Sequence, residues 1–132
     1  NTNSADYLFC HTDIKGLKFN RSTEVEHGID ISSMLKFRKV YSGHIHYAQN
    51  YKNFRMVGSP YQLTRSDIGN PKGIWLIDFE KHTETFFENK VSPMFLRISF
   101  DKLLDMNLKE INDLIKNNFV DIFMNPRWSL IF

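Results

Sequence analysis

The chain has 132 residues, 42% of them hydrophobic, enough for one domain or for one domain and part of another. Seventeen basic and 15 acidic residues leave a formal charge of +2, which neither demands a nucleic-acid partner nor excludes one that carries a local basic patch. The single cysteine, Cys10, excludes an internal disulfide, and no apolar run approaches the roughly 18 residues needed to cross a bilayer, so no membrane role is expected.

Asn1 to Ser4 is polar, lacks an initiator methionine and leads at once into a strand-like segment. No charged stretch followed by an apolar one opens the chain, and the expected location is cytoplasmic. Trp128 to Phe132 stops within a strand pattern, so both ends read as cut from something longer.

Tyr7-Leu8-Phe9-Cys10 reads as a buried strand ending at His11, with Thr12 to Gly16 as the loop beyond it. A histidine where a core strand meets a loop stands where active sites of open α/β sheets gather, or is a hydrogen-bonded structural residue. Cys10 and His11 are adjacent and face opposite sides of a strand, so they form no catalytic pair, and Cys10 is a small buried hydrophobe. Leu17 to Gly28 is polar and weakly patterned, and His27 within it is assigned no role.

Asp30 to Phe37 reads as one or two helical turns, with Asp30 or Ser32 capping the N-terminus. The next strand, Lys39 to Tyr41, delivers Ser42-Gly43-His44-Ile45-His46. In an extended segment His44 and His46 point the same way and Ile45 points back to a core, an arrangement suited to a divalent metal or to a half-exposed strand. Two histidine-bearing strand ends joined through a helix form a βαβ-like unit, which makes the strands parallel and brings both ends to one edge.

Phe54 to Val57 is a further strand, stopped by Gly58-Ser59-Pro60. Gly58 and Ser59 offer backbone N–H groups and a hydroxyl that could face a phosphate, or form an ordinary turn. Thr64-Arg65-Ser66-Asp67 supplies a cation and two hydroxyls suited to a phosphodiester backbone, and Gly69 to Gly73 is a plain turn. Ile74 to Phe79 and Thr83 to Phe87 form a hairpin with His82 solvated at its tip.

A boundary is expected near residue 93, dividing the chain into 1-92 and 93-132. Met94 to Phe100 reads as a strand. Asn107 to Phe119 reads as an amphipathic helix with Leu108, Ile111, Ile115 and Phe119 on one face and Asn107 and Glu110 at capping-box spacing. Val120 to Met124 and Trp128 to Phe132 complete a partial β-α-β-β module.

Taken in order, the segments Tyr7 to His11, Tyr41 to His46, Met56 to Thr64 and Lys72 to Asp78 resemble the C-terminal half of a calcineurin-like metallophosphoesterase. The closest branch is the SbcD-type DNA repair and recombination nucleases. The resemblance implies an α/β (α+β) fragment: half of a metallophosphoesterase β-sandwich with a flanking helix, then the start of a capping domain.

It also implies two divalent metals, usually manganese, with His11 and His44 on one and His46 on the other, and phosphate contacts from Ser59 and Arg65. DNA, an SMC-like ATPase subunit of an SbcC-type complex and a second copy are the implied partners, in a bacterial or phage-infected cell. The family's early motifs, Asp-X-His, Gly-Asp-X-X-Asp and Gly-Asn-His-Asp/Glu, are missing, and with them the catalytic histidine. The segment is therefore expected to be inert alone although its parent is a nuclease. The alternatives are a non-catalytic DNA-contacting or subunit-docking module and a metallophosphatase acting on small phosphoesters. A cupin-like enzyme would need a glutamate shortly after the histidine pair, and Tyr47 to Lys52 has none.

Overall fold

In the computed structural model, which describes residues 5–124, four short strands set up the first half of the chain. β1 (Tyr7–His11) pairs in parallel with β2 (Lys39–Gly43), β3 (Gln49–Tyr51) runs antiparallel to β4 (Phe54–Met56), and β4 lies parallel to β2, giving the order β1-β2-β4-β3. The register aligns Leu8 with Val40 and Val40 with Phe54, and in the next core-facing row Cys10 with Ser42 and Ser42 with Met56. Val40, Phe54 and Met56 are fully buried and form a core with Ile14, Leu17, Val25, Ile31, Met34 and Ile45. Each such side chain contributes roughly 1.5–3 kcal/mol by leaving water.

The connection from β1 to β2 supplies the cover for that face. Its helical part is a single 3-10 turn over Ile31–Met34, the lower end of the one or two turns expected, and its N-cap Asp30 accepts from the Ser32 N–H at 2.7 Å. The segment from Leu17 to Gly28, weakly patterned as sequence, still sends Leu17 and Val25 into the core.

The opposite face of the sheet presents the alternate row of Phe9, Tyr41 and Arg55, and meets a hairpin of β5 (Gly73–Asp78) and β6 (Thr83–Glu88). The hairpin was expected almost residue for residue, and His82 stands exposed at its tip, hydrogen-bonded to the Tyr7 hydroxyl. Glu84 is the junction between the layers. It accepts from the Tyr41 hydroxyl at 2.8 Å, pairs with Lys39 at 3.1 Å and also pairs with Arg55, whose guanidinium lies 3.8 Å from the Trp75 ring centre.

These elements belong to one compact unit, made of the residues through Pro60 together with Asn70–Asn89; Tyr61–Gly69 and the residues from Lys90 on form a second. In the second unit β7 (Phe95–Ser99) pairs in parallel with β8 (Phe119–Phe123), and Phe95 stacks on Phe119 with ring centres 4.9 Å apart. Between them lie α1 (Phe100–Leu104), which the sequence reading did not anticipate, and α2 (Leu108–Ile115). The Asn107–Glu110 capping box forms as expected. The helix ends before Phe119, because that residue is taken into β8 as the partner of Phe95. Leu108 is 80% exposed, so the apolar face assigned to this helix is not closed over among the described residues.

The expected strand at Trp128 to Phe132 lies outside the described residues. The α+β character expected from the sequence is what is observed. No helix among the described residues is long and apolar enough to cross a membrane.

Candidate functional site

Parallel pairing of β1 with β2 fixes His11 opposite Gly43, at the same end of the sheet. The absence of a side chain there is what admits the His11 ring: a Cβ on Gly43 would come within 2.9 Å of His11 Nδ1. One residue further on, His44 turns out of the strand with φ of 95°, in the region that side chains rarely occupy and that costs a non-glycine residue about 1–3 kcal/mol. The two rings meet edge to face, with His11 Nε2 3.2 Å from His44 Nδ1.

The loop after β1 is anchored on both sides. Ser42, fully buried, accepts from the Thr12 N–H at 3.0 Å and lies 2.9 Å from the Thr12 carbonyl oxygen. Beyond it, the Ile29 N–H donates to the Asp13 carbonyl at 2.9 Å and the Lys15 N–H to the Ile29 carbonyl at 3.2 Å. Gly28 permits this approach, since a Cβ there would fall within 3.0 Å of the Asp13 carbonyl oxygen. Asp13 is thereby held with Oδ2 3.5 Å from His44 Nε2. His11, Thr12, Asp13, His27, Gly28, Ile29 and His44 line one cavity of about 410 Å³.

Strand alternation predicted that His44 and His46 would share a face, and the structure corrects the premise. β2 ends at Gly43, and the positive φ of His44 breaks the extended geometry on which alternation depends. Ile45 is nonetheless buried at 2% exposure, as expected. The backbone carbonyl of His46 accepts from Lys72 Nζ at 2.7 Å, and the cavity that holds His11 and His44 is not lined by His46. Lys72, read as part of a plain turn, is a buried cation fixing that loop.

Ser59 is buried at 6% exposure, and its hydroxyl has no hydrogen-bond partner among the described residues. In the second unit, Thr64 and Asp67 form a capping box around a 3-10 turn at Arg65–Asp67. Arg65 projects from it to place Nε 2.7 Å from Asp121 Oδ2, and its guanidinium lies 5.8 Å from the Phe95 ring centre. The bond from Asp121, and its charge, raise the Arg65 pKa further above its usual value.

Two imidazole nitrogens bound to one cation at about 2.1 Å, at an angle near 100°, stand about 3.2 Å apart. The separation of His11 and His44 matches this, and the chemistry of the pair suits a divalent metal. Among the described residues, however, no group of three or more His, Cys, Asp or Glu is arranged to hold one. The pair therefore fits as two donors to a cation and leaves its remaining coordination to other groups.

Sequence reasoning missed Asp13, His27, Ser42 and Lys72. Asp13 stands two residues beyond a suspected ligand, which is the one signal that could have flagged it; the others depend on folding alone.

No protein-family model matches the chain. Over 91 residues, 69% of its length, it is 30% identical to exonuclease subunit 1 of Enterobacteria phage T4. The aligned region makes up 26% of that relative, so the chain spans about a quarter of its length.

Proposed function

We propose that the chain is part of a metal-dependent DNA nuclease of the metallophosphoesterase type, the SbcD-like branch that serves DNA repair and recombination. The observation that carries this reading is the 3.2 Å approach of His11 Nε2 to His44 Nδ1 at adjacent parallel strand ends. Similarity to a phage exonuclease subunit supports the substrate class.

In this reading His11 and His44 hold one divalent cation, manganese being the expected species, and His46 holds a second. Such a cation, when bound, neutralises charge on a phosphodiester and promotes deprotonation of water. This chain's part is to present the nitrogens: Gly43 leaves room for the His11 ring, Ser42 ties down the loop after β1, and Lys72 fixes the loop that carries His46. Arg65 serves as a phosphate contact, and Ser59 does so only where its turn opens, because its hydroxyl is buried in the described conformation. The segment alone is inert, because the carboxylate and asparagine ligands of the family's early motifs are missing from it. The expected setting is the cytoplasm of a bacterial or phage-infected cell, with an SMC-like ATPase subunit as partner and self-association to a dimer.

Calorimetric titration of the 132-residue chain with Mn2+ and Zn2+ tests the reading. Binding is expected in the wild type and is expected to weaken at least tenfold in both His11→Ala and His44→Ala. Absence of binding in the wild type, or binding indifferent to both substitutions, overturns it. A second reading, a non-catalytic DNA-contacting or subunit-docking module, is favoured by the lack of a three-donor group among the described residues. It predicts DNA binding that is insensitive to chelator.

A further inference from the structure

Asp13 lies outside every motif that drew attention to this chain, yet its carboxylate is the acidic group in contact with the histidine pair. Oδ2 stands 3.5 Å from His44 Nε2, on the side of the ring away from the nitrogen that faces His11. Its other oxygen, Oδ1, is buried without a hydrogen-bond partner among the described residues. A buried carboxylate oxygen without a donor is unfavourable and calls for a compensating role. The backbone arrangement at Asp13 does not depend on the side chain, since the Ile29 N–H is bonded to the main-chain carbonyl. The carboxylate is thus an addition to a loop already held by other means.

We infer that Asp13 is a positioning residue for His44, accepting a hydrogen bond from Nε2–H and so holding the imidazole in the tautomer whose Nδ1 lone pair faces His11 Nε2. A neutral imidazole carries one proton, and the bond made by one nitrogen determines which state the other presents. With the proton on Nε2, the His44 Nδ1 lone pair accepts from His11 Nε2–H in the absence of a cation. When a cation occupies the space between the rings, His11 carries its proton on Nδ1 instead and both facing nitrogens offer lone pairs. A carboxylate behind a ligating histidine sets ring orientation and raises the basicity of the ligand. It also steadies a residue whose backbone, at φ of 95°, is not in a relaxed conformation. The role in metal binding rests on the proposed function, whereas the hydrogen bond and the tautomer do not.

Two measurements on the 132-residue chain separate these. Long-range nitrogen–proton NMR of the metal-free protein, above the pH range in which imidazole titrates, reads the tautomer of His44 directly. Nε2 is expected as the protonated nitrogen in the wild type. Asp13→Ala should give mixed tautomers, and Asp13→Asn, which keeps the shape and one acceptor oxygen, should lie between. A wild-type His44 protonated on Nδ1, or a tautomer unchanged in Asp13→Ala, overturns the inference, whether or not metal binds. In titrations with Zn2+ and Mn2+, Asp13→Ala should weaken binding by about 10- to 100-fold with partial recovery in Asp13→Asn. Unchanged metal affinity in a variant whose tautomer has shifted overturns the metal role of Asp13. Failure of the wild type to bind either cation overturns the proposed function instead, and leaves the tautomer measurement to decide the hydrogen bond.

Discussion

His11 and Gly43 stand directly opposite each other at the end of two parallel strands, and the ring of the first occupies the space that a side chain on the second would fill. The approach of His11 to His44 depends on that vacancy, because a Cβ at position 43 would crowd Nδ1 at 2.9 Å. In Gly43→Ala the imidazole has to rotate away. Stability should fall by only about 1 kcal/mol, since the displaced group is a side chain at the edge of the core. If the pair holds a cation as proposed, Zn2+ affinity should fall at least tenfold. Denaturant unfolding together with metal titration checks this, and an alanine variant with unchanged metal affinity would contradict it.

Glu84 is held between Tyr41, Lys39 and Arg55. Burial pushes its pKa up, but hydrogen bonds from Tyr41 and Lys39 and the charges of Arg55 and Lys39 outweigh it and hold the carboxyl below its ordinary value of 4.5. A lowered folded-state pKa means that protonation favours the unfolded chain. The contribution is therefore complete above pH 4.5 and is lost as pH falls through the folded value. Glu84→Gln should cost about 2 kcal/mol near neutral pH, because two half-buried cations lose their partner. The variant should also show a shallower loss of stability in acid. Urea unfolding across that range measures both effects.

The same cluster acts on Tyr41 in the opposite sense, since burial and the bond donated to Glu84 raise its phenol pKa well above the ordinary range. Tyr41→Phe removes the donor and leaves one Glu84 oxygen with Lys39 alone. A loss of about 1 kcal/mol is expected, with acid unfolding moved to higher pH because Glu84 is then less strongly stabilised as a carboxylate. Equal acid midpoints for Tyr41→Phe and wild type would contradict this assignment.

Ser59 carries a buried hydroxyl without a partner among the described residues, so its removal relieves an unmet hydrogen-bonding requirement. Ser59→Ala should be neutral or up to about 1 kcal/mol more stable. If the hydroxyl meets a DNA phosphate, the same variant should bind duplex DNA more weakly at fixed salt. A gain in stability with unchanged DNA affinity would assign Ser59 to the fold alone.

Arg65 is 68% exposed at its side chain, and its ion pair with Asp121 belongs to the class that contributes little to folding. Arg65→Ala should leave the thermal midpoint unchanged. As a phosphate contact its loss should lower DNA affinity and reduce the slope of log affinity against log salt by about one. An unaltered slope would remove it from the interface.

Much of the strand framework was legible because the residues carry their own periodicity. Tyr7 to His11 and Lys39 to Gly43 pair in parallel as the intervening connection required, and the turn at Glu80 to His82 joins two alternating runs that could only be a hairpin. The Asn107–Glu110 cap was legible for a similar reason, because both partners lie within one helical turn. β3 and α1 went unseen: Gln49–Tyr51 has three residues and Phe100–Leu104 five, too few to establish a period. The helix assigned through Phe119 was too long because Phe95, far away in sequence, claims that ring.

By itself, the order of residues determined that the segments carrying His11 and His44 would meet at the same end of neighbouring parallel strands, since alternation and crossover length are local properties of the chain. Tertiary structure alone decided that His44 leaves the strand at a positive φ, that Asp13 sits behind it, and that His46 answers to Lys72 through its backbone. Those outcomes depend on close approaches at Gly28 and Gly43 and on the buried anchor Ser42, contacts between segments up to about thirty residues apart that no short-range pattern encodes.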